Sequence, residues 1–432
     1  MRLGLTDVQA VRRKTGFGED ETSLRFAIID FYEAASTFLE IIFMKKALLT
    51  LAALSPFATA VHAQSSVTLY GLIDEGFEAV SNAPVPGAKS VGRQYRLDAT
   101  NGLNSSRWGL RGSEDLGDGL KAIFTLEDGF ELNNGRFGQG GAEFGRQAFI
   151  GVSSDRFGTI TFGRQYDSVV DFVGGFEFGD SAVGTDHSAH PADLDNFNNG
   201  RRTNNSVKFK SANYEGLTFG ALYSFGGVPG AVATNQEYSF GASYANGPLS
   251  LGVAYLNVKN PSASLFGSNP SDTATSNGLT SSPVFSGFVS ASSYQVTGAG
   301  GSYALGQAVL GFTYSNIRFA KISALQNGTA TFNDAEASFQ YHLTPSLLAG
   351  VAYNYLHGSA VRGTVGGSNY NQFGAGVNYN LTKRTDVYAA VNYQTANGHD
   401  STGNGAVANL SGVSASSNRY QTVGRVGIRH RF

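Results

Sequence analysis

The sequence has no cysteine and little charge. With no cysteine among 432 residues, a disulfide framework, a thiolate metal site and a cysteine nucleophile are all excluded. Charged residues make up 15% of the chain, against about 25% in a typical soluble domain. The formal net charge of -2 disfavours a nucleic-acid-binding protein, which needs a broad basic surface. Ten prolines are too few for a proline-rich disordered chain.

Glycine and aromatic residues are instead abundant along the whole length. The chain contains 56 glycines, 31 phenylalanines and 20 tyrosines. By length it could hold two or three ordinary domains. Because this composition is uniform, it favours one large β structure.

A secretory signal peptide is predicted over residues 44–63. Met44-Lys45-Lys46 is a short basic start, an uncharged run rich in Ala and Leu follows, and Val61-His62-Ala63 is a small-x-small cleavage site. The apolar run is shorter than the ~20 residues that a membrane-spanning helix needs, so we expect cleavage rather than anchoring. Residues 1–43 then precede a natural initiator methionine. We interpret them as non-native upstream sequence, with a true extension as the alternative.

The predicted mature chain, 64–432, has no apolar run of about 18 residues, which argues against a membrane helix there. Apolar and small or polar residues alternate instead with the period of a β-strand. The clearest examples are the segments 217–225, 249–255, 337–343, 347–355 and 373–381.

Seven tight turns and eight long polar stretches separate these segments. The turns are predicted at 115–118, 154–157, 213–216, 245–248, 304–307, 343–346 and 381–384. The long loops are predicted at 81–104, 134–142, 167–200, 226–235, 259–293, 321–330, 357–368 and 396–417. Fifteen connections imply sixteen strands, and short turns alternating with long loops are typical of outer-membrane barrels.

The character of the two strand faces separates a membrane barrel from a soluble sandwich. A sandwich would turn its apolar face inward and carry Lys and Glu on the outer face. Here the polar face is rich in Gly, Ser and Asn, and tyrosines such as Tyr353 and Tyr379 lie near strand ends on the apolar face. We therefore predict an all-β, sixteen-stranded antiparallel transmembrane barrel over 64–432, with apolar side chains facing lipid and small or polar ones facing enclosed water.

Several segments resemble the trimeric general porins of Gram-negative bacteria, in particular the β-proteobacterial type. Ser66–Asp74 resembles their first strand, Ser106–Ala122 the second and third, Phe157–Gln165 the fifth, and Gly427–Phe432 the last. The terminal Phe432 resembles the signal that the barrel assembly machinery recognises. The resemblance implies a homotrimer in outer-membrane lipid and lipopolysaccharide, and a third loop, 167–200, that folds into the lumen.

The resemblance also implies a charged constriction. Arg107 and Arg146, with one or both of Arg201 and Arg202 before the sixth strand, correspond to basic positions of the family. Glu177 lies in a stretch similar to its acidic third-loop motif. Alternation along the strands adds further inward candidates, and the third loop adds two more acids. The basic candidates are Arg107, Arg146, Arg201 and Arg111, and the acidic candidates are Glu177, Asp171, Asp180, Glu127 and Asp74. For each arginine the alternative is an ordinary solvated charge at a strand end.

Arg164 shares a face with Ile160 and Phe162, so alternation turns it toward lipid. A lipid-facing arginine costs up to about 2–4 kcal/mol at mid-membrane. We expect either a subunit interface, in which a neighbouring loop supplies an acid, or an end-of-strand arginine whose head reaches the lipid headgroups.

Other patterns are weak. His187 and His190, with nearby aspartates, lack a third ligand at a fixed spacing, so we predict no metal site and no cofactor. A serine nucleophile motif is absent, so no enzymatic activity is predicted. We expect a general diffusion porin for small hydrophilic solutes and ions. The alternatives are a substrate-selective channel, an outer-membrane enzyme and an adhesin on a barrel scaffold.

Overall fold

A computed structural model of the chain describes residues 66–85, 91–264 and 282–432. The predicted upstream segment 1–43 and signal peptide 44–63 lie outside these residues. Within the described ranges, no helix is long and apolar enough to cross a membrane.

Sixteen antiparallel strands form one closed sheet, as predicted. The second strand consists of two segments, β2a and β2b, separated by residues 99–106. The strands are β1 Ser66–Pro84, β2a Val91–Asp98, β2b Arg107–Gly117, β3 Leu120–Glu131, β4 Gln147–Ser154, β5 Gly158–Gln165, β6 Thr203–Ser211, β7 Leu217–Ser224, β8 Glu237–Asn246, β9 Leu249–Lys259, β10 Ala291–Leu305, β11 Ala308–Ile322, β12 Gly328–Thr344, β13 Leu347–Gly358, β14 Asn369–Asn380, β15 Thr385–Asn397 and β16 Tyr420–Arg431.

The first strand closes the barrel. One edge of β1 pairs with β2a and then with β2b, and the other edge pairs with β16 in the register Leu72↔Arg431 to Val80↔Val423. Phe432 extends this closure, because its amide donates to the carbonyl of Gly71 at 3.0 Å and its own carbonyl accepts from the Gly71 amide at 3.2 Å. Closure leaves no open sheet edge in the hydrocarbon region.

The seven predicted short turns all connect paired strands. The predicted first loop, 81–104, was wrong. Strand β1 continues to Pro84 and the second strand already begins at Val91, because the two pair from Gly76↔Asp98 to Pro84↔Val91. The loops also contain small elements: strand Arg136–Phe137, paired strands Ala360–Arg362 and Val365–Gly366, helix α1 Ser168–Phe172, helix α2 Pro261–Ser264, and 3-10 turns at Gln139–Gly141, Gly174–Phe176, Phe178–Asp180, Asp186–Ser188, Pro191–Asp193, Ser286–Phe288 and Ser323–Leu325.

The apolar face of the barrel points outward, as the alternation predicts. Side chains such as Val253, Val351 and Phe373 are about half exposed on the outer surface, whereas the small or polar residues that alternate with them face inward and are less exposed. This arrangement is the reverse of a soluble domain, and it suits a sheet whose outer solvent is hydrocarbon.

The inward face departs from this rule near the long-loop ends of β10–β15. There the inward side chains are apolar and fully buried, including Tyr294, Phe319 and Phe332. Phe285 and Phe288 of the fifth loop pack against them. The prediction that every strand keeps small or polar side chains inside was therefore wrong here, because folded loop segments rather than water cover this part of the inner wall.

Candidate functional site

The third loop, 166–202, enters the barrel between β5 and β6 and begins with helix α1. Asp167 caps this helix, since its Oδ1 accepts from the amides of Val169 at 2.8 Å and Val170 at 3.2 Å. Asn196, near the end of the loop, donates to the other carboxylate oxygen of Asp167 at 2.7 Å. The cap thus joins the two ends of the loop and fixes where it leaves the wall.

The wall that faces the third loop across the lumen is basic, and one of its arginines, Arg146, is held by neighbours on the same wall. The Nε of Arg146 donates to Glu127 at 2.8 Å, and its Nη2 lies 3.3 Å from the hydroxyl of Tyr166. Tyr70 and Tyr166 also donate to Glu127, at 2.9 and 3.2 Å. Glu127 therefore lies on the basic wall and orients Arg146 there, rather than on the opposing acidic side where the sequence placed it.

A cavity of about 180 Å³ lies between this wall and the third loop, and we call it the waist cavity. Arg107 and Arg146 line one side, and Asp180 and Asp186 line the other. The Nε of Arg107 is buried and has no hydrogen-bond partner among the described residues. The cavity is completed by Leu103, Asn104, Ser105, Tyr166, Val170, Gly179, Asn198 and Asn199.

The two aspartates of the waist cavity both have raised pKa values. Asp180 is open to the cavity but is surrounded by protein, and this burial raises its pKa to about 6 against the opposing charge of Arg107. Burial likewise raises the pKa of Asp186, which accepts from Asn198 at 3.1 Å. The charge of Asp180 is therefore sensitive to pH in the mildly acidic range.

Glu177 lies on the opposite side of the third loop, away from the waist cavity. It is 1% exposed, and its Oε1 accepts from the amide of His190 at 2.6 Å. The buried ring of His190 donates from Nδ1 to Asp195 at 2.7 Å, and its Nε2 forms a hydrogen bond of 3.1 Å with the hydroxyl of Thr313 on β11. We call the buried group Glu177, His190, Asp195, Asp334 and Glu336 the anchor cluster.

The anchor cluster fastens the loop to the barrel wall. Glu336 of β12 accepts from the amide of Phe178 at 2.7 Å, and Ser315 of β11 donates to Asp195 at 2.6 Å. Burial alone would lower the pKa of His190, but the carboxylates of Asp334, Asp195 and Glu177 outweigh it and hold the pKa well above its usual value. A single cation thus serves several buried acids.

Two further predicted residues lie away from the waist cavity. Arg201 is 4% exposed and packs behind the loop, where its Nη2 donates to the Tyr294 hydroxyl at 2.8 Å. Asp171 accepts from Lys208 of β6 at 2.8 Å.

Arg202, next to Arg201, lies closer to the basic wall. Its guanidinium lies 5.8 Å from the ring centre of Tyr166. Burial and the positive charges of Arg146, Arg164 and Arg107 lower the pKa of Arg202.

Strand residues Asp74 and Arg111 point inward, as alternation predicts, but they do not line the waist cavity. Asp74 is fully buried, accepts from the Tyr388 hydroxyl at 2.5 Å and lies 3.4 Å from Arg425. Arg111 is exposed below the waist, with its guanidinium 4.0 Å from the ring centre of Tyr70.

Arg164 has partners within its own subunit. Its Nε donates to the carbonyl of Gly145 at 2.8 Å, and its Nη1 donates to Asn204. The proposed role at a subunit interface and the role of Phe432 in assembly both stay predictions.

The two histidines of the third loop point to different parts of the wall. His187 lies between Glu78 of β1 and the carbonyl of Ser411, each at 2.7 Å, whereas His190 belongs to the anchor cluster. Among the residues that the structure describes, no group of three or more His, Asp or Glu side chains could hold a metal ion.

Sequence reasoning missed Asp186 and preferred Arg201 to Arg202. Alternation predicts the direction of a side chain only within a strand, and all three residues lie in a loop. The pattern His187-x-x-His190 was considered in the sequence only as a weak metal motif and was rejected as one, and the role of these histidines in holding the loop was not predicted.

The comparisons with known proteins agree with this architecture. Residues 49–399 match the family described as Gram-negative porin. An outer membrane porin protein of Bordetella pertussis is 34% identical over 417 residues, which cover 90% of this chain and all of that protein. Outer membrane porin protein 32 of Delftia acidovorans is 33% identical over 219 residues, covering 49% of this chain and 60% of that protein.

Solved structures show the same fold. The anion-selective porin from Comamonas acidovorans superposes with a TM-score of 0.65 at 23% identity, covering 85% of this chain and all of that one. The trimer form of OmpT from Vibrio cholerae has a TM-score of 0.58 at 16% identity, covering 85% and 99%. The chain therefore belongs to the Gram-negative porin family, and it is an outer-membrane β-barrel of the kind that forms diffusion channels.

Proposed function

We propose that the barrel is a general diffusion pathway for small hydrophilic solutes and ions, and that the waist cavity is its constriction. The observation that carries this proposal is that two arginines and two aspartates line opposite sides of a cavity of about 180 Å³. The arginines are Arg107 and Arg146, and the aspartates are Asp180 and Asp186. Fixed charges of opposite sign on two walls create a field across the pore. Polar solutes align in this field, whereas apolar solutes would have to displace the water that it orders.

The charges on the two walls are close to balance. Arg146 is paired with Glu127 on its own wall, so Arg107 is the arginine of the waist cavity whose charge the two loop aspartates chiefly offset. Arginine stays protonated throughout the physiological range. We infer that ion preference is weak at neutral pH and turns toward anions when the aspartates take up protons.

We further propose that the protein functions as a homotrimer in outer-membrane lipid and lipopolysaccharide, after insertion by the barrel assembly machinery. The family membership and the trimer form of the similar fold support this assembly. No catalytic role is proposed.

Conductance of the purified protein in planar bilayers tests the function. We expect stepwise current increases in salt and an ohmic open level, with liposome swelling by small sugars that declines as sugar size increases. Insertion without current steps would contradict a channel and would favour an adhesin or a closed scaffold. Swelling by one sugar alone among several of equal size would favour a substrate-selective channel.

A further inference from the structure

Glycines line the inner wall of the barrel where the third loop lies against it. Gly241 of β8, Gly252 of β9 and Gly300 of β10 lie beneath the first part of the loop. A second group, on β13 and β14, lies beneath its middle part and consists of Gly350, Gly374 and Gly376. We call these six residues the glycine bed.

The first group is in close contact with two phenylalanines of the loop. A Cβ atom on Gly241 would lie 2.6 Å from Cδ2 of Phe172, and one on Gly300 would lie 2.9 Å from Cδ2 of Phe176. A Cβ atom on Gly252 would overlap the backbone carbonyl oxygen of Phe172. Since that oxygen belongs to the main chain, the loop itself would have to move.

The second group makes the same kind of contact. A Cβ atom on Gly350 would lie 2.6 Å from Cγ2 of Val183, and one on Gly374 would lie 3.1 Å from Cε1 of Phe178. A Cβ atom on Gly376 would overlap the backbone carbonyl oxygen of Val183. Gly252 and Gly376 thus face loop backbone at two separate places.

Backbone conformation does not explain these glycines. None of the six has a positive φ, so a residue with a side chain could adopt the same strand geometry. Glycine in the interior of a strand weakens it, and its presence there indicates close approach by another part of the chain. Here the approaching part is the third loop.

Polar contacts hold the loop against this bed. Ser239 accepts from the amide of Ser168 at 3.0 Å, Asn378 donates to the carbonyl of Ala182 at 3.0 Å, and Gln372 donates to the carbonyl of Ala189 at 2.7 Å. These hydrogen bonds hold the third loop against the wall. The glycine bed limits how closely the loop can approach the wall.

We propose that the glycine bed positions the third loop and thereby sets the width of the waist cavity and the largest solute that passes. The proposal rests on the proposed function, because it assigns the size limit of that same pore. A methyl group on the bed displaces the loop toward Arg107 and Arg146. A displacement of the loop narrows the waist because the opposite wall is part of the rigid sheet.

The test compares Gly252→Ala and Gly376→Ala with Gly424→Ala in bilayers and in swelling liposomes. Gly424 is the matched control, because it lies in strand β16 and a Cβ atom there would meet nothing within 4 Å. We expect the two bed variants to lose about twofold in single-channel conductance and to exclude the larger sugars first, while the control conducts as the wild type does. Wild-type conductance and size limit in both bed variants would overturn the proposal.

A second pair of variants separates a narrowed pore from a loss of folding. Gly350→Ala should narrow the pore, and Val183→Ala added to it should restore conductance, because it removes the Cγ2 atom that the new methyl group would meet at 2.6 Å. Unchanged narrowing in the double variant would contradict the mechanism. Heat-modifiable migration on gels identifies variants that still fold, and current from the wild type separates failure of this proposal from failure of the proposed function.

Discussion

The third loop has two faces, and both carry acids. The face toward the waist cavity has Asp180 and Asp186, which lie across that cavity from Arg107 and Arg146. The opposite face has Glu177 and Asp195, which are fully enclosed between the loop and strands β11 and β12 and share His190. We call these the pore face and the anchor face.

The difference shows that position relative to water, and not residue type, divides the acids into two roles. On the pore face a carboxylate contributes its charge to the field that solutes meet. On the anchor face the carboxylates are buried with a cation and hydrogen-bond donors, and removing one partner leaves an uncompensated group. Four experiments test this division.

The largest effect is expected from His190→Leu. The change removes the cation that faces Glu177, Asp195, Asp334 and Glu336, at a cost of about 3–5 kcal/mol to the docking of the loop. We expect noisy single-channel current and passage of larger sugars. His342→Leu is the control, since His342 lies on the same strand as Glu336 but is exposed. Quiet channels with the normal size limit in His190→Leu would show that the anchor face does not hold the loop.

A smaller effect is expected from Arg107→Glu, which acts from the wall opposite the pore face. Reversing one charge at the waist should shift ion permeability several-fold toward cations, as measured by the reversal potential in a salt gradient. Arg318→Glu makes the same change on the outer surface and should leave the potential unchanged. Equal potentials for Arg107→Glu and the wild type would reject the assigned constriction.

The direct comparison of the two faces is Asp180→Asn against Glu177→Gln. Asp180→Asn removes a pore charge, so the reversal potential should shift modestly toward anions at pH 7.5, where Asp180 is ionised. Glu177→Gln should leave ion preference unchanged, because burial raises the pKa of Glu177 well above its usual value and the group does not face the pore. A shift in Glu177→Gln as large as that in Asp180→Asn would contradict the division.

The smallest effect is a dependence of selectivity on pH. The pKa of Asp180 is raised to about 6, so this residue loses its negative charge as the pH falls from 7 to 5. The arginines are unaffected, and anion preference should therefore rise over this range. Reversal potentials at several pH values measure the change. If the Asp180→Asn variant keeps the full change of reversal potential with pH, another group causes that change.

Much of the fold followed from the sequence. Alternation in segments such as 249–255 and 373–381 predicted which side chains face lipid, because the period of a strand ties direction to position. The inward positions of Asp74, Arg107 and Arg111 were predicted by the same rule. The first loop was predicted too long, since the residues at the end of β1 and in β2a resemble loop residues in composition.

The candidate site was predicted less completely. Arg107, Arg146 and Asp180 were named and lie around the waist cavity, whereas Glu177 and Arg201 were named and lie behind the loop. A loop has no fixed period, so the sequence cannot state which face a loop residue presents. The roles of these residues in permeation stay predictions until the measurements above are made.

By itself, the sequence determined the sixteen strands, their turns and the outward apolar surface, because these depend on interactions that repeat every second residue. Only the tertiary structure decided which acids of the third loop face the pore and which anchor it. That choice depends on contacts with strands more than a hundred residues away, such as Glu336 with Phe178, and local pattern contains no information about such contacts.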